Sequence, residues 1–197
     1  MSDLSSENKL PHSIESLKEL VDSLTEGERV TFSRIMNSID IPKKAFDEID
    51  SWSHDCYTRN CIAQGDEFEL ILLCWENGQA SPIHDHGGEE CWVKIIEGEF
   101  EETLYKKDQA GELNMVKRTR ATSGDVTYMV DFMGYHRLEN LSDKRSLSLH
   151  LYAKPIRSCH VYNEELETFV LKDLSYDTVA ETSSLNDNDP IKYVRIK

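Results

Sequence analysis

The spacing of apolar residues divides this chain into two parts. Between Ser13 and Leu24 the apolar residues recur every three to four positions behind Pro11, and Ser13 is a candidate helix cap. A second amphipathic stretch runs from Glu26 to Ile39, and a third, shorter one covers Lys43 to Ile49. The pattern therefore predicts a helical region over the first fifty residues.

From about Cys56 onward, short apolar or alternating runs are separated by turn residues at close spacing. Many short strands with regular turns are typical of a sandwich or barrel. We therefore predict a mainly β protein with an N-terminal helical appendage (1–50), a β-barrel domain (51–175) and a polar, acidic tail (176–197) that is mobile up to Asp189, with Ile191 to Ile196 able to dock as a strand. The predicted strands are Phe68–Trp75, Cys91–Ile96, Phe100–Tyr105, Met115–Ala121, Val126–Val130, Arg145–Ala153, Ser158–Tyr162 and Thr168–Leu171.

Composition narrows the possible partners. The formal net charge is −15, which argues against nucleic acid or an anionic membrane, because phosphate binding needs clustered Lys and Arg. No apolar run is long enough to span a bilayer, and the start of the chain lacks the basic and apolar stretches of a secretory signal. The cysteines are five in number, without a Cys-x-x-Cys pair, so we expect free thiols in a reducing compartment.

The strongest chemical signal is the pair His84-x-His86. Residues at i and i+2 of an extended segment project to the same face, which is the spacing needed to hold one transition metal. Gly78 precedes this pair by six positions, and His136 follows far downstream between Gly134 and Asn140. The sequence therefore predicts a metal site.

These motifs resemble the two motifs of the cupin superfamily, whose members are small jelly-roll barrels that hold a metal on histidines. The carboxylate that cupins place four or five residues after the second histidine falls here on Glu90 or Cys91, and the spacing to the next glycine favours Cys91. The second motif is also one residue longer and lacks the usual proline. The resemblance implies a cupin-type jelly-roll β-barrel.

A thiol at the carboxylate position points to one family. The ordered set from Tyr57-x-Arg59-Asn60 through the three histidines to Ser148-x-His150-x-Tyr152 is similar to cysteine dioxygenase of the eukaryotic type. That resemblance covers roughly residues 45–162. It implies one iron(II) per chain, bound by His84, His86 and His136.

The resemblance also implies roles for residues around the metal. Tyr57 and Arg59 share a strand face, and Arg59 is expected to clamp the substrate carboxylate with support from Tyr57. Ser148, His150 and Tyr152 likewise share a face, and are expected to form a relay in which Ser148 orients His150 and His150 holds the Tyr152 hydroxyl near substrate. Cys91 and Tyr152 match the pair that the eukaryotic enzymes join by a thioether.

The function implied by this resemblance is oxidation of L-cysteine by O2 to cysteine sulfinic acid, in a cytoplasmic monomer, as the first step toward taurine and sulfate. Two alternatives remain at this point. One is a dioxygenase for another small thiol such as 3-mercaptopropionate, although enzymes for that acid carry glutamine in place of Arg59. The other is a non-catalytic metal-binding cupin. Of the remaining cysteines, Cys56, Cys61 and Cys74 are expected to be small buried residues, and Cys159 matches a family cysteine near the pocket mouth, with no catalytic role.

Overall fold

The computed structural model describes residues 13–180 and the backbone of residues 193–195. Its N-terminal region contains two α-helices, α1 (Leu17–Glu26) and α2 (Phe32–Asn37), and two 3-10 helices, Arg29–Thr31 and Lys43–Phe46. No helix in this part of the chain has the length and apolarity needed to cross a membrane.

The helical prediction is confirmed in kind but not in its boundaries. Helix α1 begins at Leu17 and not at Ser13, because Ile14 is extended and bridges Ile39. The cap is therefore Ser16, whose hydroxyl accepts the backbone N–H of Glu19 at 3.2 Å. The stretch predicted as one helix from Glu26 to Ile39 is divided, since Gly27 leaves α1 with extended backbone and the chain re-enters through a 3-10 turn.

In the part of the chain that the structure describes, twelve strands form three sheets. The largest has the order β12-β11-β1-β2-β8-β3-β6, a second has the order β5-β4-β7, and β9 and β10 form a hairpin. The strands are β1 (Thr58–Gln64), β2 (Glu69–Trp75), β3 (Cys91–Glu97), β4 (Glu99–Lys107), β5 (Leu113–Thr122), β6 (Val126–Met129), β7 (Tyr135–Asn140), β8 (Ser146–Tyr152), β9 (Ser158–Asn163), β10 (Thr168–Asp173), β11 (Thr178–Ala180) and β12 (Tyr193–Arg195).

The mainly β prediction is confirmed, and the eight predicted strands all form with ends shifted by a few residues at most. Two features were missed. Strand β7 carries His136 and was read as a motif without a strand. The predicted mobile tail is wrong over Thr178–Ala180, because β11 pairs in parallel with β1 through Asn60↔Thr178 and Cys61↔Val179. The expected docking strand near residues 191–196 forms as β12, whereas the rest of the predicted tail from residue 181 lies outside the described residues.

Strands β2 and β8 lie in the middle of the large sheet and are buried along their whole length. Alternate residues face opposite ways, so each strand contributes to two packing regions. One face packs under the helices, with Leu72, Leu149 and Phe32 in the same apolar cluster. The other face includes Leu73, Trp75 and Tyr152 and belongs to a second cluster, which continues into the three-stranded sheet through Phe100 and Leu138. This second face lines the site.

Candidate metal centre and adjoining cavity

Three histidines converge at the junction of the large and small sheets. His84 and His86 lie on the connection between β2 and β3, and His136 lies on β7. The backbones of His84 and His136 exchange two hydrogen bonds, of 2.9 and 3.0 Å. One ring nitrogen from each of the three residues lies within 4.8 Å of the others, so this cluster could hold a metal ion.

The second nitrogen of each imidazole determines where the first can point. His84 Nδ1 donates to the carbonyl of Pro82 at 2.9 Å, and His136 Nδ1 donates to Glu102 Oε1 at 2.7 Å. His86 Nδ1 is buried and has no partner among the described residues. These contacts leave Nε2 of His84 and His136 free to carry lone pairs toward a shared ion.

The surroundings of His84 and His86 lower the pKa values of both rings, which favours binding of a cation. Burial, followed by the nearby His136, lowers the pKa of His84 to about 3, and the same two causes hold the pKa of His86 well below its ordinary value. Both rings are therefore neutral at physiological pH. Neutral imidazole is the form that binds metals.

The loop that carries His86 is held by Asp131. One carboxylate oxygen accepts the backbone N–H of His86 at 2.8 Å, and the other accepts that of Gly88 at 2.6 Å. Gly87 and Gly88 both have positive φ, +61° and +97°, which glycine adopts at little cost. The loop therefore turns tightly around one carboxylate just beyond the second histidine.

A cavity of about 540 Å³, counting the space open at its mouth, adjoins the histidines. Residues from all three sheets line it, including His84, His136, Arg59, Tyr57, Tyr152 and Cys159. Arg59 Nη2 is buried there and has no hydrogen-bond partner among the described residues. Burial lowers the pKa of Arg59, but interactions with Tyr152, Tyr57 and the Glu69 carboxylate raise it, and the net direction is upward. The guanidinium is therefore a cation with an unused donor beside the metal cluster.

The segment that leads into β11 holds Arg59 in place through hydrogen bonds. Its Nε donates to the carbonyl of Ser175 at 3.2 Å, its backbone N–H donates to Asp177 Oδ2 at 2.8 Å, and the Asp177 N–H returns a bond to the Arg59 carbonyl at 2.7 Å. Tyr57, two residues earlier, stacks on Trp75 with ring centroids 4.4 Å apart. Both predicted substrate-binding residues thus lie on the cavity wall.

The predicted relay residues lie on one face of β8, and His150 and Tyr152 among them line the same cavity. Ser148 Oγ lies 2.9 Å from His150 Nε2 and accepts the indole N–H of Trp75 at 2.9 Å. The rings of His150 and Tyr152 stack with centroids 6.3 Å apart, and within residues 13–180 no hydrogen bond joins them. The expected contact between His150 and the Tyr152 hydroxyl is therefore not formed here.

Cys91 lies directly opposite Tyr152 in the β3–β8 pairing. The Cys91 sulfur is 4.0 Å from His150 Nδ1, and the Tyr152 hydroxyl lies close enough to influence the pKa of the thiol. Burial raises the pKa of both the Cys91 thiol and the Tyr152 hydroxyl. Both groups are consequently protonated at neutral pH, close to each other and to the histidines.

Comparison with known proteins agrees with this geometry. The family described as cysteine dioxygenase type I matches residues 4–165. The chain belongs to the cysteine dioxygenase type I family. It is 38% identical to cysteine dioxygenase type 1 of Rattus norvegicus and to that of Homo sapiens over 112 residues, which are 55% of this chain and 56% of each relative. The chain thus spans about half the length of these curated relatives. The enzyme of the same name from Danio rerio is 28% identical over 165 residues, covering 78% of this chain and 81% of that one.

Two solved structures share part of their backbone arrangement with this member of the cysteine dioxygenase type I family. A Klebsiella pneumoniae protein with a double-stranded β-helix domain matches with a TM-score of 0.44 and 15% identity, covering 64% of this chain and 86% of that one. A cupin from Desulfovibrio desulfuricans matches with a TM-score of 0.42 and 19% identity, covering 56% and 93% respectively.

Several candidates from the sequence lie outside the site of this cysteine dioxygenase relative. Glu90, the alternative to Cys91, instead accepts hydrogen bonds from Arg29 and Tyr128 on the outer side of β3, each at 2.5 Å. Cys56 is exposed, contrary to the expectation that it is buried, whereas Cys61 and Cys74 are buried as expected. Cys159 lines the cavity wall and is buried.

Three contacts were missed by sequence reasoning, namely those of Glu102, Asp131 and the Ser175–Asp177 segment. Glu102 lies on an alternating strand with several other glutamates, so only the pairing register distinguishes it from them. Asp131 is the first residue of a short 3-10 helix (Asp131–Met133) and looks like a turn residue. Asp177 is 118 positions from Arg59, a separation at which a single sequence gives no pairing signal.

Proposed function

We propose that this protein is an iron(II)-dependent dioxygenase that adds both atoms of O2 to the sulfur of L-cysteine, giving cysteine sulfinic acid. The observation that carries the proposal is the shared cavity. Its wall places the three-histidine cluster beside a buried guanidinium with a free donor and beside the Tyr152 hydroxyl. An amino-acid thiol needs these three elements, since it has sulfur and amine to ligate a metal and a carboxylate to be paired.

The donor set fits one ferrous ion per chain. His86 Nε2 and His136 Nε2 are 3.0 Å apart, and two nitrogens about 2.1 Å from one ion at right angles are also separated by about 3.0 Å. Three protein ligands leave three octahedral positions open, enough for sulfur, amine and dioxygen. Bound iron would supply the electron that dioxygen needs in order to react with a thiolate, which redox-inert zinc cannot do.

Arg59 would bind the substrate carboxylate. Its Nε is already bonded to the Ser175 carbonyl, so the outer edge of the guanidinium is the part left for a ligand. Arginine pairs with carboxylates through two parallel bonds, which fixes orientation as well as affinity. Tyr57 supports this edge of the cavity from its stack on Trp75.

Tyr152 would donate a hydrogen bond to bound substrate or oxygen, because burial and the neighbouring Cys91 raise its pKa and keep the hydroxyl protonated. His150 stays neutral, since burial and the positive charge of Arg59 lower its pKa. Ser148 then fixes the His150 ring through Nε2. In this arrangement His150 positions the ring of Tyr152 by stacking and not by a hydrogen bond.

We also propose a thioether between Cys91 Sγ and the ring of Tyr152, which are cross-strand neighbours. Forming it removes the thiol hydrogen and one ring hydrogen, and dioxygen accepts the two electrons and two protons as hydrogen peroxide. The new bond would fix the tyrosine ring and remove a thiol that competes for iron. Intact mass of the purified protein should show a species lighter by two hydrogens, which Tyr152→Phe abolishes while iron remains bound; persistence of that species in the variant would assign the bond to another pair.

The decisive experiment measures oxygen consumption by iron-loaded protein with L-cysteine and with 3-mercaptopropionate. We expect uptake with cysteine and a sulfinic acid carrying two atoms of labelled oxygen. A preference for 3-mercaptopropionate would reassign the substrate, and absence of both turnover and bound iron would indicate a non-catalytic cupin. We place the reaction in the cytoplasm, catalysed by a monomer, as the first step of cysteine breakdown toward taurine and sulfate.

A further inference from the structure

Glu102 differs from the other glutamates of β4. Glu99 and Glu101 lie on one face of the strand and pair with Arg120 and Arg118 of the neighbouring strand, at 2.9 and 3.6 Å. Glu102 points to the opposite face, with its side chain 15% exposed, and within the described residues its side chain accepts a hydrogen bond from His136 Nδ1. An acidic residue turned inward without an arginine or lysine needs another source of stabilisation.

The pairing register explains how Glu102 reaches His136 of the three-histidine cluster. In the β4–β7 pairing, Glu102 lies opposite Leu138 and Leu104 lies opposite His136. Glu102 and His136 are therefore diagonal neighbours on the same face, a separation that a long side chain spans. The carboxylate meets His136 at Nδ1, on the side of the ring away from the other histidines, so Glu102 cannot itself reach a shared ion.

The three histidines consequently differ in the hydrogen-bond partner of their Nδ1 atom. His136 donates to a carboxylate, His84 donates to a neutral carbonyl, and His86 Nδ1 has no partner in the described part of the chain. A carboxylate acceptor fixes the tautomer and makes the opposite nitrogen a stronger donor to a metal. Among the three histidines, His136 is therefore the one whose ring is oriented by a charged acceptor.

We infer that Glu102 is a positioning residue for His136 and that it supplies, just outside the ligand set, the negative charge that three neutral histidines lack. The inference rests on the proposed iron site. Metal sites built from two histidines and a carboxylate carry this charge on a ligand. Here the His136 ring would separate the Glu102 carboxylate from the ion, so all three remaining coordination positions stay open. The negative charge would still act on the ion through the polarised ring.

The experiment compares Glu102→Gln and Glu102→Ala with Glu101→Gln. The glutamine variant keeps the size and a hydrogen-bond acceptor but removes the charge, and Glu101→Gln removes a charge from the next residue on the outer face. Iron(II) affinity is measured anaerobically by competition with a chelator, cobalt(II) absorption reports ligand geometry, and the reduction potential of the iron couple reports charge. Thermal unfolding of the metal-free proteins checks the fold.

We expect Glu102→Gln to bind iron(II) about tenfold or more weakly and to raise the reduction potential, because removing a negative charge disfavours the ferric state. Glu102→Ala should lose at least as much affinity and alter the cobalt spectrum, while Glu101→Gln should match the wild type. If Glu102→Gln keeps both wild-type affinity and potential, the inference is overturned. If Glu102→Gln does not fold, Glu102→Asp is expected to retain the wild-type potential, and a raised potential there would equally refute it. A wild type that neither binds iron nor consumes oxygen would instead refute the proposed function.

Discussion

Replacing Arg59 by glutamine tests the substrate assignment most directly. The wild-type guanidinium is buried at the cavity wall with Nη2 unused, while Nε and the backbone are held by Ser175 and Asp177. Glutamine removes the cation and the paired donors. The strand itself should remain, because the backbone bonds to Asp177 do not involve the side chain.

The magnitude follows from the burial. A carboxylate that enters this cavity exchanges its water for the guanidinium, and without Arg59 it would be left largely unpaired. Removing one partner of a buried, hydrogen-bonded charge pair costs about 2–5 kcal/mol, which corresponds to a decrease of roughly 30- to several-thousand-fold in kcat/KM. The loss should fall on carboxylate-bearing thiols alone.

The assay therefore uses two thiols, L-cysteine and cysteamine. Cysteamine has the same thiol and amine as cysteine but no carboxylate. Arg59→Gln should lower kcat/KM for cysteine by the factor above and leave cysteamine oxidation nearly unchanged, so that the preference for cysteine collapses. Iron content and thermal unfolding serve as controls for the site and the fold. An equal loss with both thiols would show that Arg59 serves the metal centre or the fold and does not recognise the carboxylate.

Three further predictions follow from specific contacts. Asp131→Asn should weaken iron(II) binding about 10- to 100-fold, since it leaves one of two loop amides unpaired, whereas Asp125→Asn in a distant turn should not; equal affinities measured by chelator competition would contradict this. Gly134→Ala should destabilise the protein by about 2–4 kcal/mol, measured by urea unfolding. The new Cβ would lie 2.2 Å from the Tyr105 carbonyl oxygen of β4, and φ at this position is +123°. Gly111→Ala, whose Cβ would meet nothing within 4 Å, should cost less. Metal-free protein should lose up to about 4 kcal/mol of stability per pH unit as the pH falls from about 6 toward 4, because three buried histidines stay neutral in the fold over this range and bind protons only when unfolded. A pH-independent stability would contradict this, since it would mean that the histidines bind protons equally well in the folded state. These histidines are His84, His86 and His150.

The elements predicted well from sequence are those in which a local pattern determines the structure. The apolar runs of β2 and β8 are buried along their length. His150 and Tyr152 line the cavity, and Ser148 lies on the same strand face, as the period of two predicts. The His84-x-His86 pair is joined by His136. In each case neighbouring residues, or a recognisable set of motifs, carried the information.

The features that were missed depend on long-range pairing. β7 is short and carries Tyr, His, Arg and Glu, so its composition gave no clear strand signal. The helix start shifted to Leu17 because Ile14 bridges Ile39, a contact between segments that local propensity does not contain. Glu102 resembles its surface neighbours until the β4–β7 register turns it toward His136.

The parallel pairing of β11 with β1 has a consequence for how the protein is made. The residues that hydrogen-bond Arg59 lie 116 and 118 positions later in the chain, so these bonds cannot form while the intervening residues are still being synthesised. Contacts of such wide sequence separation form late and slowly, since the loop they close is long. The loop that carries His84 is bonded to β9 through the Asp85–His160 and Tyr162–Ile83 backbone pairs, so the histidine cluster has its supports once β9 is available. The arginine acquires its fixed orientation only when the later β11 pairing forms. Under the proposed function, the residue that binds the substrate carboxylate is therefore oriented after the three histidines have come together.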